Sequence, residues 1–439
     1  MVQSEVGGVK IGRNAVHGLL GFAAPSLVIF ASYPILIRHL GVPAFGIFLL
    51  AASLSGAMMF LDLGFSAATL KFVAQDLAAG RPEAAADVVL TSLAFYGGMG
   101  LAGGTIIGAL APLWATLFQV GPHLRADAIV VFRLAGAQFA VYLPAMVFVS
   151  IAKATGHFDR STFALSLLSI TTYGTAIVAG MAGAGLAGAM AAVVLANCGT
   201  FVVIGVDGLR LCRACGIDLR TASPVAFRRM FGFGWILTVN SISGFFLYQV
   251  QKFLVGAAMG PGAVPVYQAA VVLPSKLHAA VNAATEVMFP FASAAHDRTL
   301  VRQVYLRMLG GSALSALVGF AALVALARPL LRLWLGAGVA APAAPLIPIF
   351  ALGYALLALS PAPFHLVNGL GRPGLNTLFY AMNACLNVVL AGALALSGLT
   401  LMKLAWAFTA ANILTGVLYQ LTVETRIWRS ERWLAEAAL

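Results

Sequence analysis

The chain has 439 residues, 61% of them hydrophobic and only 9% charged, with a mean hydropathy of +0.96. Soluble domains carry about 25% charged residues, so a water-soluble globule is excluded and a polytopic membrane protein is expected. A formal charge of +12 would suggest nucleic acid in a soluble chain; here it reads as loop charge that sets topology and touches anionic lipid, and no nucleic-acid partner is expected.

The apolar runs are continuous rather than alternating, which implies helices and not a barrel. About twelve are long enough to cross a bilayer, centred near residues 26, 53, 102, 139, 172, 195, 243, 276, 317, 356, 386 and 413. The first run is too long for a signal-peptide core and lacks a small-residue cleavage site, so it is expected to stay as a span. Asp62, in "FLDLGFS", falls near the inner end of the second. In the third, "GLAGGTIIG" puts Gly100, Gly104 and Gly108 on one helix face, the spacing of close helix packing. Arg133 lies about two turns into the fourth, followed by Gln138. Between the fifth and sixth, "GAGLAG" matches G-x-G-x-x-G from Gly183 to Gly188, with Asp207 beyond it. A dinucleotide site needs a preceding strand and a soluble βαβ unit, so a tight interhelical turn is expected instead. Cys212-Arg-Ala-Cys215 has C-x-x-C spacing without a second pair or a histidine to complete a zinc site. The four cysteines read as reduced thiols. Pro25, Pro34, Pro274, Pro290, Pro361 and Pro363 lie in or near spans, where proline bends a helix.

The intramembrane polar groups carry most of the functional signal. Gln249, Gln251 and Lys252 cluster with Tyr248 near the outer end of the seventh run, and Gln268 enters the eighth. The eighth run, "VVLPSKLHAAVNAATEVMFP", places Ser275, His278, Asn282 and Glu286 at i, i+3, i+7 and i+11, one polar stripe. Lys276 lies roughly midway across, on a different face from His278. Ionisable groups cost roughly 2.5–3.5 kcal/mol each at a bilayer centre, so this helix should line water, bind an ion or pair with another helix. Lys276, Arg133, Lys252 and His278 are therefore the candidate cationic lining of a substrate cavity. Tyr248, Gln249, Gln268, Asn282 and Gln138 are candidate polar lining. Glu286 and Asp62 are candidates for ion coupling or for a salt bridge. No catalytic motif, P-loop or nucleotide-binding domain is present, so neither an enzyme nor direct ATP use is expected, and no metal or cofactor is implied.

With the N-terminus placed in the cytoplasm, eighteen Lys and Arg fall at the cytoplasmic ends of the spans and six at the outer ends. Both termini are then cytoplasmic. The arginine-rich stretch 207–231 reads as a cytoplasmic linker between a six-helix lobe at 1–206 and a second at 232–439 that ends in a short tail. The lobes show a weak repeat. Gly156 and Thr162 recur as Gly371 and Thr377, and Gly183 and Asn197 as Gly398 and Asn412, all at an offset of 215; Gly41 recurs as Gly260 at 219. Lobes with even span counts share one orientation, the parallel transporter repeat with a cleft at the repeat interface.

"RHLGVPAFGIFLLAASLSGAMMFLDLGFSAATLKFVA" resembles the second-span region of the polysaccharide transporter (Wzx-type) flippases, whose superfamily includes multidrug and toxin extrusion exporters and lipid II flippases. "QKFLVGAAMGPGAVPVYQAAVVLPSKL" and "VNGLGRPGLNTLFYAMNACLNVVL" resemble its second half. Gln251 stands where that family often has an acidic residue before the lysine. The resemblance implies a flippase of the bacterial inner membrane. Its substrate would be a polyprenyl-pyrophosphate-linked oligosaccharide for surface polysaccharide, translocated by alternating access, with polymerase or export machinery as further partners. The alternatives are a cation-coupled multidrug exporter of the same superfamily, which should rely on acidic groups, and a membrane glycan polymerase or ligase, which should carry a large outer loop.

Overall fold

The computed structural model describes residues 25–57, 61–219, 224–294 and 297–428. All regular structure among them is helical. In chain order the helices are α1 (Pro25–Leu40), α2 (Val42–Ala57), α3 (Phe65–Ala78), α4 (Pro82–Ala109), α5 (Ala111–Leu117), α6 (Pro122–Ala154), α7 (Phe158–Met181), α8 (Gly185–Ala214) and α9 (Pro224–Tyr248). There follow α10 (Val250–Met259), α11 (Ala263–Thr285), α12 (Met288–Ala294), α13 (Arg298–Leu335), α14 (Ala337–Ala343), α15 (Ile347–Leu357), α16 (Pro361–Gly369), α17 (Pro373–Ala395) and α18 (Leu401–Val423). Proline punctuates the starts. Pro82, Pro122, Pro361 and Pro373 sit in first turns, where a missing N–H leaves nothing unsatisfied.

Among the described residues, eight helical stretches are long and apolar enough to cross a membrane. They are α4, α6, α7, α8, α13, the interrupted stretch Ala337–Gly369, α17, and α18 extended to Trp428. The chain is a multi-pass membrane protein. The other four sequence centres fall on helices of a different kind. The described parts of α1 and α2 are apolar helices of fewer than 18 residues. α9 opens with Arg228 and Arg229, and α11 is diluted by Gln268, Lys276, His278 and Asn282. The stretch expected as a linker is partly helical: Asp207, Arg210 and Arg213 ride on α8, and α9 begins at Pro224.

The structure divides into two compact units, one up to Ser241 and one from Ile242. In the first, α4 lies against α6 through the predicted small residues. A Cβ on Gly104 would meet the Gly136 carbonyl at 2.5 Å, and one on Gly100 the Ala140 carbonyl at 2.7 Å. Backbones this close gain dispersion contacts that lipid cannot replace. Phe45, Phe65, Phe118, Phe132 and Phe139 fill the remaining interior. In the second unit, Phe350, Tyr354 and Phe408 pack α15 on α18. A second cluster around Tyr305, Leu366, Tyr419 and Trp428 joins α13, α16 and the end of α18.

The repeat positions have matching backbones. Gly156 and Gly371 have φ of 81° and 71°, Gly183 and Gly398 of 74° and 83°, and Gly41 and Gly260 of 86° and 77°. Only glycine enters this left-handed region freely, so the same turns recur in both halves. Gly183 closes the turn between α7 and α8, as the sequence predicts for "GAGLAG". Asn197 on α8 accepts from Thr171 on α7 at 2.9 Å and donates to Thr172 at 2.9 Å. Asn412 on α18 accepts from Asn383 on α17 at 2.8 Å. The two asparagines staple corresponding helix pairs.

Candidate functional site

The polar groups of the first unit are built around a break in the second apolar run. The described part of α2 runs to Ala57 and α3 starts at Phe65, with Leu63 (φ 46°) and Gly64 (φ 73°) in the left-handed region. The break leaves N–H groups at the start of α3 without helical partners, and Asp62 meets them. Its carboxylate accepts from the Ser66 N–H at 3.2 Å, from the Ser66 hydroxyl at 3.1 Å and from the Tyr96 hydroxyl on α4. Neutral donors hold it, and no cation pairs with it among the described residues. Ser66 and Tyr96 carry no charge pattern in the sequence that would have announced this. On α6, Arg133 is exposed in a stripe with Val130, Ala137 and Val141, and enters no ion pair among the described residues. Gln138 is half-buried with its Oε1 shut away from water and unpartnered.

In the second unit, α10 and α11 carry the candidates. Lys252 is half-buried and donates to Gln249 Oε1 at 3.3 Å. The Tyr248 side chain lies outside the described residues. Gln251 turns inward. It accepts from the Tyr267 hydroxyl and donates to Asn387 Oδ1 at 3.0 Å, and Asn387 donates to Asn383 Oδ1 at 2.7 Å. With Asn412, this forms a buried chain of amides linking α10, α11, α17 and α18. A glutamine can donate and accept at once, which an ionised acid could not do here.

The 3.6-residue period of α11 puts Gln268, Ser275, Asn282 and Glu286 along one line. Lys276 lies about 100° from Ser275 on one side of that line and His278 about 60° on the other, so His278 stands at the edge of the stripe expected to contain it. Lys276, Asn282 and Glu286 are exposed, whereas Gln268, Ser275 and His278 are half-buried. The His278 ring lies 6.3 Å from that of Tyr354 on α15, with Nδ1 buried and unpartnered. Gln268 Oε1 is also buried and unpartnered. His365 on α16 lies near the Asn282 backbone and within electrostatic reach of Glu286, with its Nε2 buried and unpartnered. Lys276 and His278 thus point to different surroundings, and α11 brings Asn282 and Glu286 near His365.

A cluster that the sequence did not single out lies where α3 ends and α9 begins. The Asp76 side chain is fully buried. It accepts from Arg81 at 2.8 Å and from Arg229 at 2.8 Å. Arg229 also sits 4.1 Å over the Phe72 ring, and Lys71 Nζ lies 4.0 Å over that of Phe233.

Residues 35–339 match the sequence model of a family described as polysaccharide biosynthesis protein. The chain belongs to that family. It is 21% identical over 381 residues to a Shigella flexneri protein provisionally named an O-antigen transporter, covering 85% of this chain and 88% of that one. Among solved structures it resembles an inward-facing multidrug resistance MATE family transporter of the MOP superfamily. The TM-score is 0.73 at 17% identity, over 93% of this chain and 94% of that one. It also resembles the lipid II flippase MurJ in an inward closed conformation, with a TM-score of 0.67 at 12% identity over 91% and 87%. The fold of this polysaccharide biosynthesis family member is therefore that of the MATE and MurJ transporters.

Proposed function

We propose that the protein is a flippase that moves a polyprenyl-pyrophosphate-linked oligosaccharide across the bacterial inner membrane by alternating access. The observation that carries this reading is Lys276, an exposed ammonium in the middle of a 23-residue helix otherwise rich in apolar residues. A lysine there is costly unless it meets water or an anion. The family match and the O-antigen transporter relative support a saccharide substrate. The lipid II flippase MurJ, which shares the fold, supports a lipid-linked one. A pyrophosphate 4 Å from an ammonium gains about 4 kcal/mol per charge pair at the effective dielectric of a protein surface. Arg133 offers a guanidinium fork suited to phosphate oxygens. Lys252 and His278 extend the cationic set, and Gln249, Gln268, Asn282 and Gln138 offer amides to the sugars. Drug export is disfavoured because the candidate lining is mainly cationic, with Lys276, Arg133 and Lys252, whereas a site for cationic drugs should rely on acidic groups.

Lys276→Ala should abolish surface polysaccharide in a complemented deletion strain while the protein still inserts at normal abundance. Arg133→Lys should keep more export than Arg133→Ala. Wild-type surface polysaccharide in the Lys276→Ala strain would remove that residue from the substrate path.

A further inference from the structure

Where the C-terminal ends of α6 and α8 meet the start of α7, the first unit holds a cavity of about 1240 Å³. Pockets for drug-sized ligands span about 300–1,000 Å³, so this one exceeds what a small solute needs. Its floor is apolar. Phe148 of α6 tucks against Gly208 of α8, where an added Cβ would lie 2.3 Å from the ring, and Ile204 packs beside Ala164 and Val149. Its open walls are apolar as well: Phe163 is 64% exposed and Val202 65%. Its rim is charged, with Asp159 and Arg160 from the first turn of α7 and Asp207 and Arg210 from α8.

The rim charges are not equivalent. Arg160 donates to Asp207 at 2.8 Å, an ion pair that ties α7 to α8 across the mouth. Arg210 and Asp159 enter no ion pair among the described residues. An apolar slot with one available guanidinium and one available carboxylate at its mouth is complementary to a zwitterionic amphiphile. The guanidinium suits a phosphate and the carboxylate suits a primary ammonium, both through charge-assisted hydrogen bonds. We propose that this groove binds phosphatidylethanolamine, with its acyl chains against Phe148, Phe163 and Val202, its phosphate on Arg210 and its ammonium on Asp159. An anionic lipid would leave Asp159 facing like charge. A choline lipid cannot donate to it.

The test is native mass spectrometry of the purified full-length protein in detergent, titrated with phosphatidylethanolamine, phosphatidylglycerol and phosphatidylcholine of matched chains. Wild type should retain the ethanolamine lipid about tenfold better than the other two, the worth of one charge-assisted hydrogen bond. Asp159→Asn should erase that preference while retention of the choline lipid holds. Arg210→Gln should lower retention of all three about tenfold. Val203→Trp should fill the groove and abolish retention. Asp159 is exposed, so its conservative variant tests the proposal even where the tryptophan variant fails to fold. Equal retention of the three lipids, a preference for phosphatidylglycerol, a preference unchanged in Asp159→Asn, or stronger retention of added polyprenyl phosphate would each overturn it.

Discussion

At the scale of single residues, the contrast is between charges whose roles follow from the local sequence and charges whose roles do not. The division of α11 into separate Lys276 and His278 faces follows from helix period alone, and the structure keeps it. Asp76, Arg81 and Arg229 were legible only as charges near span ends. Asp76 and Arg229 are 153 positions apart, and no periodicity links positions so distant. The same limit hid Tyr96, which holds Asp62 from 34 positions away. The Asp76 cluster also makes an energetic argument. A buried carboxylate is tolerated only while it is paired. Arg81 is 58% exposed and Arg229 34%, so Arg229 supplies the better shielded charge and also covers Phe72. Arg229→Ala should therefore lower stability by about 2–4 kcal/mol, near the range for breaking a buried pair. Arg81→Ala should cost about 1 kcal/mol, as exposed pairs do. Thermal melting of the detergent-solubilised variants would decide it; equal shifts would mean that Asp76 is held by both arginines alike.

At the scale of elements, small residues decide where helices approach. The four-residue glycine spacing of α4 was readable, but which glycines meet a partner was not, because that depends on the crossing point with α6. The structure divides them. Gly100 and Gly104 face the α6 backbone, Gly108 has only looser contacts near Arg133, and Gly97 and Gly98 face open space. Alanine in a helix is favoured over glycine by about 0.5–1 kcal/mol where nothing obstructs it. Gly98→Ala should therefore leave the melting temperature unchanged or raise it. Gly104→Ala should lower it sharply, since the Gly136 carbonyl is backbone and cannot rotate aside. Destabilisation of overpacked sites runs to about 1–3 kcal/mol. The same sign in both variants would mean that α4 and α6 separate enough to admit the methyl group.

At the scale of the whole molecule, the repeat and the charge asymmetry are the two features that composition alone could not supply but the sequence in order could. Three weak glycine matches at nearly one offset suggested a repeat, and in the structure these glycines form three pairs of left-handed turns; a positive φ constrains residue type more tightly than an apolar helix does. The span count was less legible, since a membrane helix that lines a polar path loses the hydropathy that would identify it, as α11 does. Orientation depends on the distribution of Lys and Arg across all the ends at once. On the positive-inside rule, eighteen against six predicts that the turn after α8 faces the cytoplasm and the turn between α17 and α18 the outside. Cys215, at the end of α8, is half-buried, and Ser397, in the outer turn, is exposed. In versions of the protein that keep one cysteine only, a membrane-impermeant maleimide should label Ser397→Cys in intact cells. It should reach Cys215 only after the inner membrane is permeabilised. Labelling in the opposite order would invert every end. It would also turn the groove between α7 and α8 outward and put the arginines of α9 on the side where the positive-inside bias does not hold them.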